Sequence, residues 1–181
     1  MQQHVYCTWS QRFQLPPDLR SRFRDLDEFL RSLITSADSK LLLISPYLSA
    51  GGMAALRPSI AVAAQNDVWI KLVTSSLQDK TSGTLAALRL LLNGPEGELI
   101  RPRMRILQAA PEWTDLVHAK CIVVDGKTGY LGSANFSVGG LDRHFEIGVA
   151  LSSSSAAALD NLVAYVEAAG GLVDSTHALA E

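Results

Sequence analysis

The run from Leu116 to Val124 constrains the fold of this 181-residue chain more than any other segment. Its residues are mostly apolar and β-branched, which predicts a β-strand with both faces buried, although His118 and Lys120 interrupt it. A strand that is buried on both faces needs a layer of helices on each side of its sheet. The sequence therefore predicts an α/β fold, with a mixed β-sheet flanked by helices on both faces.

The rest of the chain alternates between helix and strand patterns, as this architecture requires. Apolar residues recur at helical spacing between Leu19 and Leu33, after the helix-start signal Pro16-Pro17-Asp18. With 181 residues, of which 48% are hydrophobic, we expect one domain that spans residues 1–181. Further strands are predicted over 40–45, 68–74, 104–107 and 145–151, and further helices over 53–64, 84–92 and 156–168.

The polar residues in and after the apolar run suit phosphodiester chemistry. Alternation along a strand puts His118 and Lys120 on one face, where a histidine can act as nucleophile and a lysine can stabilise negative charge. Gly132 follows the next strand and would let the backbone approach a phosphate closely. Ser133 and Asn135 can donate hydrogen bonds to phosphate oxygens. The alternatives are a solvated pair at an exposed sheet edge and a histidine satisfied in the core.

Two carboxylates accompany these residues. Asp125 opens the turn-like sequence Asp125-Gly126-Lys127-Thr128-Gly129 and lies on the opposite strand face from His118, so we interpret it as a structural residue that braces the hairpin. Glu146 lies near the start of a predicted buried strand, where a carboxylate must be paired or it would become neutral. The alternative for Glu146 is a strand-end position that faces water.

The spacing of these residues resembles the phospholipase D superfamily. One residue separates His118 from Lys120, four separate Lys120 from Asp125, and six separate Asp125 from the sequence Gly132-Ser133-Ala134-Asn135. The resemblance implies the phospholipase D-like fold and a phosphohistidine on His118, with Lys120 and Asn135 stabilising charge and with neither cofactor nor metal. Many family members hydrogen-bond an acidic residue to the motif histidine, and Glu146 is the matching position.

This chain carries a single His-x-Lys motif, which is half of the family's active site. The other histidines, His4, His144 and His177, have no lysine two residues later. The chain is most similar to the small bacterial nucleases of the superfamily, and this resemblance implies a homodimer in which the two copies of His118 face each other across a two-fold axis. One would attack phosphorus and the other would protonate the leaving oxygen.

Composition limits the partners and the location. A net charge of −2 excludes a generally basic surface, so any nucleic-acid groove must be local. The only two cysteines, Cys7 and Cys121, are typical of a reduced intracellular protein. The N-terminus lacks a signal-peptide pattern and no apolar run is long enough to span a membrane, so we expect a cytoplasmic protein without a membrane partner.

We prefer a nuclease acting on DNA or RNA, because a lipid hydrolase would ordinarily need an interfacial amphipathic segment or a lipid anchor. Arg103, which alternates with Arg101 and Arg105, and Arg143 are candidate phosphate contacts, although charge that protects a strand edge explains the alternation as well. A lipid or other non-nucleic phosphodiesterase and a non-catalytic nucleic-acid-binding or assembly subunit are the alternatives. The resemblance also allows partner proteins from a prokaryotic defence or DNA-processing system.

Overall fold

The computed structural model of the protein describes residues 4–9, 15–75, 77, 83–112 and 117–179. The strands are β1 (Val5–Thr8), β2 (Arg24–Asp25), β3 (Lys40–Ile44), β4 (Trp69–Val73), β5 (Met104–Ala109), β6 (Cys121–Val124), β7 (Thr128–Gly132), β8 (Glu146–Leu151) and β9 (Leu172–Asp174). The helices are α1 (Pro17–Arg20), α2 (Leu26–Thr35), α3 (Ala50–Gln65), α4 (Thr84–Leu92), α5 (Gly94–Ile100) and α6 (Ser153–Ala168). Short 3-10 turns cover Arg101–Arg103 and Thr176–Leu179, and a π-helical turn covers Gly139–Arg143.

The strands of the described residues form one mixed sheet in the order β2-β1-β8-β7-β6-β3-β4-β5-β9. β3, β4 and β5 run parallel, whereas β6, β7 and β8 each pair antiparallel with their neighbours. Leu41 and Leu43 face a core formed with α2 to α5, and Leu42 and Ile44 face a second core closed by α6. The predicted mixed sheet with helices on both faces is therefore confirmed.

The predicted strand over Leu116–Val124 is shorter than the sequence pattern indicates. β6 begins at Cys121, and His118 and Lys120 lie in an irregular segment just before it, while residues 113–116 lie outside the described residues. This segment does not belong to the strand ladder, and hydrogen bonds from side chains hold it. Ser75 Oγ donates to the carbonyl oxygen of Val117 at 3.0 Å, and Lys120 Nζ donates to that of His118 at 2.8 Å.

The single helix predicted between Leu19 and Leu33 is wrong in its first half. α1 ends at Arg20, and Arg24 and Asp25 then pair in parallel with β1 as an edge strand. Asp25 ends this strand and caps α2, because its side chain accepts a hydrogen bond from Glu28 N at 2.8 Å. The sequence patterns also missed β1, β9 and α5, which are short elements without a clear period.

Asp125 lies at the end of β6 that is remote from His118, in the left-handed backbone region with φ of +53°. Its carboxylate accepts hydrogen bonds from Asp38 N (3.0 Å), Ser39 N (2.8 Å), Ser39 Oγ (2.7 Å) and Lys40 N (2.9 Å). Burial would raise the pKa of Asp125, but these hydrogen bonds outweigh it and hold the pKa at about 2. Asp125 thus fastens the start of β3 to the hairpin, which extends the bracing role that the sequence predicted.

Asp125→Asn should lower the free energy of unfolding by about 2 kcal/mol at neutral pH, a loss of about 4–8 °C in Tm. Asparagine tolerates a positive φ, so the substitution removes the charge and two acceptor sites without straining the backbone. Because the folded-state pKa is depressed, the stabilisation is present above the unfolded value near 4 and is lost as pH falls toward 2. Thermal melts across this range should show the two proteins converging at the acid end.

Asp38→Asn is the matched control, because Asp38 contributes only its backbone N–H to this cluster. We expect it to melt close to the wild-type temperature. An Asp125→Asn protein with wild-type stability at pH 7 would contradict the bracing role.

Candidate active site

The candidate site lies at the edge of the sheet where β3 and β4 end. Cys121, the first residue of β6, pairs with Ile44, the last residue of β3, and this places Lys120 beside the loop that follows β3. The loop after β7 lies against the same region, since Phe136 forms a bridge with Leu48. The topology therefore brings His118, Lys120 and the Ser133 loop to one end of the sheet.

His118 and Lys120 contact each other directly. Lys120 Nζ lies 3.0 Å from His118 Nδ1 and 3.2 Å from Nε2, and it also donates to the His118 carbonyl oxygen. Lys120 is only 9% exposed, whereas the His118 side chain is exposed. Burial lowers the pKa of Lys120, and the negative charge of Glu146 opposes that shift. An exposed imidazole beside a buried cation can present a nucleophile to an anionic group that is held by the lysine.

Glu146 is bound to Ser133. Ser133 Oγ donates to Glu146 Oε2 and accepts from Ile147 N at 3.1 Å, and Ser133 N donates to the Ile147 carbonyl oxygen at 3.0 Å. The sequence predicted Glu146 as the partner of the His118 ring, but the described residues contain no hydrogen bond between the two. Glu146 lies beside the His144 ring, whose Nδ1 is 3.9 Å from Oε1. Glu146 thus accepts a hydrogen bond from Ser133, and its charge affects the pKa of Lys120.

Asn135 has a side chain that the fold leaves incompletely satisfied. Its Oδ1 atom is buried and has no hydrogen-bond partner among the described residues. Its backbone is fixed by close packing, because a Cβ atom on Gly140 would lie 2.2 Å from the Asn135 carbonyl oxygen. A buried amide oxygen without a partner in a held loop is available to accept a hydrogen bond from a donor that enters the site.

Gly132 has a packing role that the sequence did not predict. A Cβ atom at Gly132 would lie 2.1 Å from the hydroxyl oxygen of Tyr130, and one at Gly148 would lie 2.1 Å from the Tyr130 ring. These two glycines face each other across β7 and β8, and the fully buried Tyr130 occupies the space that their side chains would take. The absence of a side chain at Gly132 therefore accommodates this tyrosine, and the predicted approach of the backbone to phosphate stays a prediction.

The two candidate arginines lie in different places. Arg103 is in a 3-10 turn before β5, so the predicted alternation of Arg101, Arg103 and Arg105 on one strand is wrong. Its guanidinium pairs with Asp67 and lies 5.2 Å from the ring centroid of Trp69, at the end of the sheet opposite His118. This placement does not fit a phosphate contact in the same copy.

Arg143 ends the π-helical turn three residues before Glu146, where it is exposed at the rim of the site.

Sequence reasoning missed Tyr47. The Tyr47 and His118 rings are T-shaped, with centroids 6.4 Å apart and an interplanar angle of 81°. The sequence feature that could have identified Tyr47 is its position shortly after the carboxyl end of a buried strand, where the functional groups of parallel sheets often lie. A single aromatic residue beside an apolar run is more often part of a core, so the pattern alone did not single it out.

Neither a metal cluster nor a membrane helix is found in the part of the chain that the structure describes. No group of three or more His, Cys, Asp or Glu side chains lies close enough together there to hold a metal ion. None of the helices there is long and apolar enough to cross a bilayer.

Cys7 and Cys121 are both buried and unpaired, and burial raises the pKa of Cys121 to about 12.

Three solved structures share the fold. Nuc from Salmonella typhimurium, a phospholipase D family member, is 17% identical with a TM-score of 0.65, and the match covers 96% of this chain and 98% of that chain. NucT from Helicobacter pylori is 16% identical with a TM-score of 0.59, covering 96% and 99%. Phosphatidylserine synthase from Haemophilus influenzae Rd KW20 is 14% identical with a TM-score of 0.62, covering 84% and 37%.

Sequence comparison gives the family. No similar sequence was found among curated proteins. The family model described as "Cardiolipin synthase, PLD-like domain" matches residues 30–167, which include His118, Lys120, Ser133, Asn135 and Glu146. Because this match covers more than half of the chain, the protein belongs to the family of phospholipase D-like domains.

Proposed function

We propose that the protein is a metal-independent phosphodiesterase, and specifically a nuclease for DNA or RNA, which works through a phosphohistidine at a site shared by two copies. The observation that carries the proposal is the contact between Lys120 Nζ and the His118 ring within a phospholipase D-like fold. A nucleophile and a buried cation that touch each other can both act on one phosphate. The predicted cytoplasmic location stays a prediction.

The chemistry requires two histidines in turn. A ring nitrogen of His118 attacks phosphorus, the bond to the leaving oxygen breaks, and the partner subunit's His118 gives that oxygen a proton. Water then attacks the phosphohistidine and loses its proton to the partner subunit's His118, which regenerates both rings. Lys120 and Asn135 contact the phosphate oxygens, whose charge redistributes in the transition state. The negative charge of Glu146 raises the pKa of Lys120 and so opposes the lowering effect of burial.

An apolar surface beside the site supports the pairing of two copies. Phe145 is 76% exposed, Ile147 is 48% exposed and Leu131 is 41% exposed, and each lies within two residues of Ser133 or Glu146 in the chain. Leu131 pairs with Val149, two residues from Ile147, so the two exposed side chains share one face of the sheet. Exposed apolar residues that cluster at the rim of half an active site are suited to contact with a second copy.

Phe145→Asp should weaken this association, because a charge would have to be desolvated inside an apolar contact. Light scattering should give about twice the chain mass for the wild type and a mass that falls toward one chain for the variant at micromolar concentration. Activity should fall with the dimer fraction and recover as protein concentration rises. Tyr165→Asp is the matched control, since Tyr165 is 72% exposed but lies on α6. A wild-type protein that is fully active as a monomer would exclude the shared site.

Two observations support a nucleic acid as the substrate: the length of the similar solved structures and the exposure of His118. Nuc and NucT match this chain over nearly their whole length, whereas the match to phosphatidylserine synthase covers 37% of that chain. His118 is exposed to solvent, which suits attack on the backbone of a polymer. A lipid phosphodiester is the second candidate, favoured by the description of the family model as a cardiolipin synthase domain.

The decisive experiment presents plasmid, single-stranded DNA, RNA and cardiolipin vesicles to the purified protein, each with excess EDTA. We expect cleavage of nucleic acid that EDTA does not reduce, because His118 and Lys120 supply the nucleophile and the positive charge that a metal would otherwise provide. Turnover of cardiolipin alone would favour the lipid candidate. A strict requirement for added Mg²⁺ would contradict the histidine mechanism.

A further inference from the structure

Tyr47 is an exposed aromatic residue at the candidate site. Its side chain is 44% exposed, and the described residues give its hydroxyl no hydrogen-bond partner. A tyrosine that served only packing would bury its ring in the core, as Tyr130 does. The Tyr47 ring instead lies against the His118 ring with one part open to solvent.

The backbone of Tyr47 is held tightly although its ring is exposed. Ser45 is fully buried, and its hydroxyl donates to the Tyr47 carbonyl oxygen at 2.9 Å while it accepts from Phe136 N at 3.0 Å. Ser49 N donates to the Phe136 carbonyl oxygen at 3.2 Å, and Ser49 Oγ accepts from Val138 N at 3.1 Å. These bonds tie the loop of Tyr47 to the loop that carries Ser133 and Asn135, so the backbone from which the ring projects has a fixed position relative to these candidate phosphate-binding residues.

We propose that Tyr47 is a stacking platform for the base next to the cleaved phosphate, and that the site therefore takes single-stranded nucleic acid in preference to duplex. This inference rests on the proposed nuclease function. Every base has a π-face, so stacking on one tyrosine is tolerant of sequence. In a duplex both faces of a base are already stacked on neighbours, and unstacking has an energetic cost. A strand whose bases are unpaired meets Tyr47 without that cost.

The test uses a short single-stranded oligonucleotide with one cleavable linkage, together with two versions that lack the base on one side of that linkage. Tyr47→Leu should raise KM for the complete oligonucleotide by about 5- to 100-fold, the range that loss of one stacked base gives, with kcat within a few-fold of wild type. On one of the two abasic oligonucleotides the variant and the wild type should have the same KM. Tyr47→Phe keeps the ring and should restore KM on the complete oligonucleotide.

Tyr165→Leu is the control, because it removes a tyrosine from α6 that is even more exposed than Tyr47. The wild type should also prefer the single strand over a duplex of the same sequence, and Tyr47→Leu should reduce this preference. An equal loss of kcat on all three oligonucleotides would mean that Tyr47 positions His118, which would overturn the stacking proposal. Unchanged kinetics in Tyr47→Leu would overturn it too. A wild type that cleaves no nucleic acid would refute the nuclease function itself, and the inference with it.

Discussion

We expect His118→Ala to lower turnover by at least about 10⁴-fold while the protein stays folded. General acid–base catalysis contributes about 10²–10⁴-fold and covalent catalysis adds to it, and one substitution removes both when two copies of the same position share the roles. The fold should tolerate the change, because the His118 side chain is exposed and its contact with Lys120 is not part of the core. Steady-state rates and thermal melts of the same preparation measure the two effects separately.

Mixed dimers make this prediction sharper. If wild-type and His118→Ala chains are combined in equal amounts and allowed to exchange, about one quarter of the dimers carry two histidines. Activity per wild-type chain should then fall by about half. A site that is complete in one chain would leave activity per wild-type chain unchanged. His177→Ala is the matched control, since His177 is exposed in the last 3-10 turn and should not lower activity in the same mixture.

The second large effect concerns Glu146→Gln, which we expect to lower the rate by about 10²-fold and to move the alkaline limb of the pH–rate profile toward lower pH. Burial lowers the pKa of Lys120 and the charge of Glu146 raises it, so a neutral glutamine leaves burial unopposed. A lysine with a lower pKa loses its proton at lower pH, and with it the charge that stabilises the transition state. Glutamine keeps an oxygen that can accept from Ser133.

Glu167→Gln is the matched control for the Glu146→Gln experiment. Glu167 is also partly buried and pairs with Lys71 and Arg105, away from His118. Its substitution should affect stability and leave the alkaline limb in place. If the Glu146→Gln profile coincides with the wild-type profile, the carboxylate has no electrostatic role in the site.

The sequence predicted most of the fold because its strong patterns are local. The helix over Thr84–Leu92 and the strand from Lys40 have the predicted positions, since apolar periodicity decides both. The predicted strand through His118 begins only at Cys121, because the segment before Cys121 finds hydrogen bonds with side chains such as that of Ser75. The helix after Leu19 is interrupted because β1 recruits Arg24 and Asp25 as an edge strand, and such long-range pairing leaves no mark on local spacing.

The candidate site, too, was predictable only where local sequence patterns decide it. Fixed spacing selected His118, Lys120 and Asn135 as candidates, and the fold brings the segments that carry them to one end of the sheet. Spacing along the chain could not predict which side chains bond to each other. Glu146 accepts a hydrogen bond from Ser133, and Arg103 pairs with Asp67 at the far end of the sheet. These outcomes depend on which loops meet in three dimensions. Tyr47 was missed for the same reason, since only its contact with the His118 ring distinguishes it from a core aromatic.

The packing of Tyr130 against Gly132 and Gly148 limits how this chain can change over evolution. An alanine at either glycine would place its methyl group 2.1 Å from atoms of the tyrosine, which is fully buried. A drifting lineage can therefore replace Gly148 only if position 130 first becomes smaller, with a cavity as the intermediate. Gly132 is fixed more strictly, because its Cβ atom would also lie 2.6 Å from the carbonyl oxygen of Ile147. We expect Tyr130, Gly132 and Gly148 to be inherited as one unit, so that a glycine of the motif is retained for the packing behind it.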